Sequence, residues 1–170
     1  KEDPRRAAKA YREAIALEPN KPVAYYNLGN ALYSSGHKVE AAQRYLEAME
    51  RHPAGSVYWA QATAMAFCCN MLQEEECAEV AKPAWWNDEE IKALSARVVR
   101  AAPDDRSANR MRAFVLSGQR STSEAGPRSA AELKEAAMYF DRASALCSAP
   151  VEKDILAGNA EWCRNKATAI

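Results

Sequence analysis

The chain is short of the residues on which most catalytic and metal chemistry is built. Its 170 residues include 2 histidines, His37 and His52, and neither has a metal-ligating neighbour three or four positions away. A Ser-His-Asp or Cys-His arrangement has little to draw on. The 5 cysteines are Cys68, Cys69, Cys77, Cys147 and Cys163. None forms a Cys-x-x-Cys pair, and adjacent Cys68 and Cys69 on a helix would point about 100° apart, too far to hold one ion together. An odd count without a regular framework argues against a secreted disulfide scaffold and predicts free thiols in a reducing cytoplasm. A surplus of one charge is missing as well. Lys and Arg number 23 and Asp and Glu 23, whereas a general nucleic-acid binder carries a basic excess. No apolar run reaches the length of a membrane span, and no charged-then-apolar signal segment opens the chain. The first residue is Lys1 rather than Met, which suggests a piece of a longer protein. A Gly-rich phosphate loop, a Gly-x-Ser-x-Gly elbow and a spaced calcium loop are all absent. The expectation is a chain without enzymatic activity, cofactor or metal.

What is present is a repeat. Ala7 and Ala41, Tyr11 and Tyr45, Ala14 and Ala48, and Pro19 and Pro53 each stand 34 positions apart. The best unit reads Tyr25-x-x-Leu28-Gly29-x-x-Leu32, then Gly36, Ala41-x-x-x-Tyr45, Ala48 and Pro53. Tyr25, Leu28 and Leu32 form one apolar helical stripe. Gly29 and Ala41 are small where two helices must approach closely. Gly36 breaks the chain between the helices, and Pro53 ends the second. This pattern resembles the tetratricopeptide repeat (TPR) family. The resemblance implies an all-α fold without a sheet, an α-solenoid of antiparallel helix pairs wound as a right-handed superhelix. Its implied work is non-catalytic, as a scaffold or protein-binding module that grips a peptide on its concave face.

Residues 1–170 are read as one helical-repeat domain. Segment 4–19 matches the second helix of an incomplete unit, and 22–55 is the well-matched unit. Segment 56–103 is degenerate: Trp59 follows Tyr25 by 34 positions, but Thr63 replaces the small Gly29, and about 16 extra residues near 71–87 break the period. A further degenerate unit spans 104–149, and 150–170 is a terminal capping helix. Helices are expected at 4–18, 22–35, 38–51, 56–72, 88–102, 105–117, 130–147 and 151–167. Ser56, Asn87 with Glu90, and Ser129 with Glu132 are the clearest helix-start signals.

Beside the core stripe of 22–35 runs a second one, Val23, Tyr26, Asn30 and Tyr33. Its equivalents one unit later are Val57, Ala60, Gln61, Ala64 and Phe67. Aromatics beside carboxamides give contact area with a hydrogen-bond handle. Tyr26 and Tyr33 would serve equally well packed on a neighbouring helix. The family also has a carboxylate clamp, with a Lys and an Asn on one unit, an Asn on the next and a basic pair on the third. By resemblance, Asn30 takes the first Asn position, Tyr26 replaces the Lys, Gln61 replaces the second Asn, and Arg106 with Arg110 supplies the pair. The peptide-binding set is thus Tyr26, Asn30, Tyr33, Gln61, Arg106 and Arg110, ahead of which stands a more apolar groove for an extended or helical segment.

Other features leave the partner open. Residues 73–90 are acidic and 97–128 rich in Arg, and these stretches either face one another or meet a partner. Trp85-Trp86 is expected to place one indole in the core and to leave the other as a contact. The first helix has a face for upstream sequence or for a second copy. The alternatives are a helical regulatory arm of a larger enzyme and a helical-repeat RNA-binding module.

Overall fold

In the computed structural model, residues 3–71, 83, 85–119 and 126–170 are described. Every regular element among them is a helix: α1 (Pro4–Leu17), α2 (Pro22–Ser34), α3 (Lys38–Arg51), α4 (Val57–Met71), α5 (Asp88–Ala101), α6 (Arg106–Ser117), α7 (Ala130–Ala145) and α8 (Pro150–Thr168). Most of the expected insert and of the polar loop 119–128 lies outside the described residues. The start signals act as local chemistry requires. Ser56 Oγ accepts the Trp59 amide at 3.2 Å, and Asn87 Oδ1 accepts that of Glu90 at 2.9 Å. Ser129 and Glu132 form a reciprocal capping box. Gly118 closes α6 in the left-handed conformation at φ 67°, where a Cβ would be strained.

The chain divides into two compact units, Lys1–Ala81 and Lys82–Ile170. In unit 1 each helix packs on its successor, α1 on α2, α2 on α3 and α3 on α4. The closest approach is at Gly29. A Cβ there would stand 2.7 Å from the Tyr45 ring, so the Leu-Gly of the repeat exists because an aromatic of the next helix occupies that space. Tyr45 is 0% exposed, and burial together with neighbouring phenols and thiols pushes its hydroxyl strongly upward in pKa. That hydroxyl donates to Asn30 Oδ1 at 2.8 Å. Tyr25 donates to the Pro19 carbonyl at 2.8 Å, and the Arg51 guanidinium lies 4.2 Å from its ring centre. At Thr63, one period after Gly29, the buried hydroxyl donates to the Trp59 carbonyl at 2.7 Å. A polar side chain is thereby satisfied within its own helix.

In unit 2, α5 packs on α6, α6 on α7 and α7 on α8. Phe114 meets Phe140 edge-on with ring centres 5.0 Å apart, and Met111, Leu133, Leu156 and Cys163 complete the buried side. Burial pushes the Cys163 thiol up to about 11. Here charges share the work. Arg128 grips Asp88 with two hydrogen bonds, 2.9 and 2.6 Å long. Lys92 bridges Asp88 at 3.1 Å and Glu132 at 2.8 Å. The start of α5, the strand of chain before α7 and the first turn of α7 are thereby tied together. Trp85 and Trp86 stand before α5 with ring centres 5.4 Å apart. Both are partly buried, so neither indole is the fully open contact that the sequence suggested for one of them. The tilted stack shields each ring with the other.

Candidate functional site

A groove forms in unit 1 between the first turns of α2 and α4, at the end of α3. The first turns of α2 and α4 are set in place by Pro22 at one helix start and by Ser56 capping at the other. Between them opens a cavity of about 180 Å³ lined by Val23, Tyr26, Asn27, His52, Tyr58 and Gln61. Its wall is aromatic. Tyr26 leans edge-on against Tyr45 at 5.5 Å, which fixes its ring from below. His52 stacks on Tyr58 with ring centres 5.6 Å apart and planes 23° apart. Tyr58 is 64% exposed, so its outer face is open. Desolvation lowers the pKa of His52 below its ordinary 6.5, so the imidazole is neutral near pH 7 and the cavity carries no formal charge. Two carboxamides, Asn27 and Gln61, bring hydrogen-bond donors and acceptors to an otherwise apolar wall.

Tyr26 and Gln61 are thus brought to one cavity. Asn30, on the same helix, is exposed, and its carbonyl oxygen already accepts from Tyr45. Tyr33 packs against the core cluster of Leu28, Leu32 and Tyr45. Arg106 and Arg110 sit in unit 2, on α6, and both reach the same carboxylate of α8. Arg106 pairs with Glu152 and also approaches Cys147 Sγ at 3.8 Å, and Arg110 lies 3.2 Å from Glu152. Burial lowers the basicity of Arg106, but the charge of Glu152, the hydrogen bond and charge of Cys147 and the hydrogen bond to Glu152 together outweigh it, so its pKa is raised. The basic pair therefore already holds a carboxylate of its own chain.

Asn27, His52 and Tyr58 were not singled out from the sequence. Asn27 was legible, since Gln61 follows it by 34 positions. His52 and Tyr58 were not, because they meet only when the α3–α4 turn folds one onto the other. Among the described residues no group of three or more His, Cys, Asp or Glu side chains could hold a metal ion, and no helix is long and apolar enough to cross a membrane.

A family profile described as TPR repeat matches residues 5–36, which span most of α1 and run through α2. That stretch of the chain is similar to a TPR repeat. Among solved structures, the crystal structure of MamA resembles this chain with a TM-score of 0.51 and 13% identity, over 95% of this chain and 85% of that one. At that identity the likeness speaks for the fold alone, which is all-α and solenoid-like. A search of curated proteins returned no significant match. TPR repeats are protein-interaction modules in general and typically non-catalytic, so protein partners are implied.

Proposed function

We propose that this chain is a non-catalytic scaffold that holds a partner protein by an extended segment laid along the α2–α4 face of unit 1. One apolar side chain of that segment enters the cavity between Tyr26 and Tyr58, and its backbone amide bonds to the carboxamides of Asn27 and Gln61. Asn30 and Tyr33 extend the same face along α2. The observation that carries this reading is the uncharged aromatic cavity itself. A neutral, partly open pocket of about 180 Å³ suits one large aliphatic or aromatic side chain. Large rigid rings give contact area at low entropy cost, which is how a few residues dominate an interface.

The carboxylate-clamp variant is disfavoured because Arg106 and Arg110 already share Glu152, so we assign them to fastening α8. The RNA reading is disfavoured on related grounds, since Arg112 and Arg128 are also spent on Glu135 and Asp88. We assign the chain to a reducing, cytoplasmic setting, in keeping with the free buried thiols of Cys68, Cys69, Cys147 and Cys163.

The test begins with a displayed library of random peptides selected on the intact chain. Selected peptides should share one large apolar position and no acidic consensus. Their affinity should fall tenfold or more with Tyr58→Ala together with Gln61→Ala, both on the groove side of α4. It should change little on moving from low to 0.5 M salt. Peptides with an acidic consensus, or affinities indifferent to the double substitution, would end the proposal.

A further inference from the structure

The chain has two imidazoles, and they stand at opposite ends of α3. His37 precedes the helix and is exposed. His52 ends it and forms part of the cavity wall between α2 and α4. Histidine is the side chain whose ordinary pKa lets it change charge near neutral pH. The surroundings fix what a proton on His52 would meet. Its ring lies nearly flat on Tyr58, with planes 23° apart, and the face of a phenol ring attracts a cation. A protonated imidazole therefore keeps its place in the wall. Among the described residues that line the cavity with it (Val23, Tyr26, Asn27, Tyr58 and Gln61) there is no carboxylate to neutralise it.

The titratable groups that share the cavity with His52 are phenols, Tyr58 from α4 and Tyr26 from α2. On α3 itself the neighbouring Arg51 donates to the carbonyls of Pro19 and Glu47 and lies over the Tyr25 ring. Ahead of α2, Lys21 pairs with Glu18 at 3.0 Å. The dipole at the end of α3 favours a cation on His52, yet burial prevails and holds the imidazole below its ordinary 6.5. A side chain that fills the cavity strips more water from the ring. An imidazolium pressed against an apolar group is an unpaired buried charge, which costs far more than a neutral ring in the same place.

We infer that His52 is a proton switch on the groove, an inference that rests on the groove being the partner's seat: neutral, the imidazole completes the wall that takes an uncharged side chain, and protonated, it keeps that side chain out. Proton and partner then exclude one another, and each weakens the binding of the other by the same factor. An occupied groove lowers the affinity of His52 for its proton further. Binding is full above pH 6.5 and is lost as pH falls through the titration of the free groove. A partner with a carboxylate beside the entering side chain would show the opposite sign, because that carboxylate would pair with the imidazolium.

The probe is a peptide selected on the intact chain at pH 7.5, with blocked termini and without Asp, Glu or His. Its affinity should be about fivefold weaker at pH 5 than at pH 7.5. His52→Phe keeps a ring on Tyr58 but takes no proton, so the ratio of its affinities at the two pH values should fall to near one, whatever its affinity at pH 7.5. Acid unfolding would weaken binding by wild type and variant alike. If His52→Phe no longer binds, NMR on the wild type decides: the peptide should move the titration of the His52 ring signals to lower pH, with the His37 signals as the reference. Equal affinity at both pH values, an undiminished ratio in His52→Phe, or a His52 titration that the peptide leaves in place or raises would each overturn the switch and leave the seat standing. Failure to select any such peptide would remove the seat, and the switch with it.

Discussion

The two units solve the same packing problem with different chemistry. In unit 1 an aromatic ring fills the space that a missing Cβ leaves, and the helix pairs are closed by the shape of Tyr45 against Gly29. In unit 2 the corresponding work falls to a buried guanidinium and its carboxylates. The Arg128 side chain is 6% exposed and clasps Asp88, Lys92 joins Asp88 to Glu132, and Arg106 with Arg110 clasps Glu152. Apolar interlock is indifferent to pH and hardly screened by salt. Ion pairs depend on both, and losing one partner strands the other. Unit 1 keeps the 34-residue period from Ala7 and Ala41 to Pro19 and Pro53, and ring meets gap once, at Tyr45 and Gly29, with Thr63 standing one period later. Unit 2 departs from the period because a long Arg side chain can reach across irregular spacing.

The largest effect should come from emptying the ring position. Tyr45→Ala removes a fully buried aromatic and should destabilise unit 1 by about 3–5 kcal/mol, seen as a lower urea midpoint. A loss under about 1 kcal/mol would break the view that this ring closes the unit. Next, Arg128→Met should cost unit 2 about 2–3 kcal/mol, because Asp88 then loses its closest charge partner. Pairing it with Asp88→Asn should recover part of that loss, and full additivity of the two would sink the ion-pair account.

Acid should separate the units next. Asp88 is held below its ordinary 3.8 mainly by the hydrogen bonds from Arg128. Burial raises the pKa of Glu132, but the Lys92 ammonium and the hydrogen bonds from Ser129 outweigh it and set it at about 2, against an ordinary 4.5. Both acids are more acidic folded than unfolded. Their stabilisation is complete above pH 4.5 and is lost as pH falls toward 2. In a Trp59→Phe variant the remaining indoles, Trp85, Trp86 and Trp162, belong to unit 2, so fluorescence should follow that unit unfolding across this window. Acid stability unchanged by Glu132→Gln would contradict the assignment. The smallest contrast is local. Tyr25→Phe, which loses the bond to the Pro19 carbonyl, and Ser129→Ala, which loses a helix cap, should each cost about 1 kcal/mol in their own unit.

The groove was half legible in the sequence. Tyr26 and Gln61 could be placed on it, because helical spacing and the 34-residue period put them on matching faces of α2 and α4. His52 and Tyr58 escaped, since their stack depends on how the turn between α3 and α4 closes. Arg106 and Arg110 read equally well as a site for a partner's carboxylate. Their real partner, Glu152, lies more than 40 residues away, and no local pattern announces it.

While the structure showed that the Tyr45 ring fills the space at Gly29, the sequence by itself determined the helices, their clearest caps and the close helix approach there. These follow from spacing, φ restrictions and side-chain volume, which act over a few residues or over one exact repeat. Tertiary structure alone decided which cations find which carboxylates and which apolar stripe of α8 is buried, that of Leu156 and Cys163 rather than that of Ile155 and Trp162. A long charged side chain has several partners within reach, and an amphipathic helix with two apolar stripes does not say which one turns inward. Only the packed neighbours make that choice.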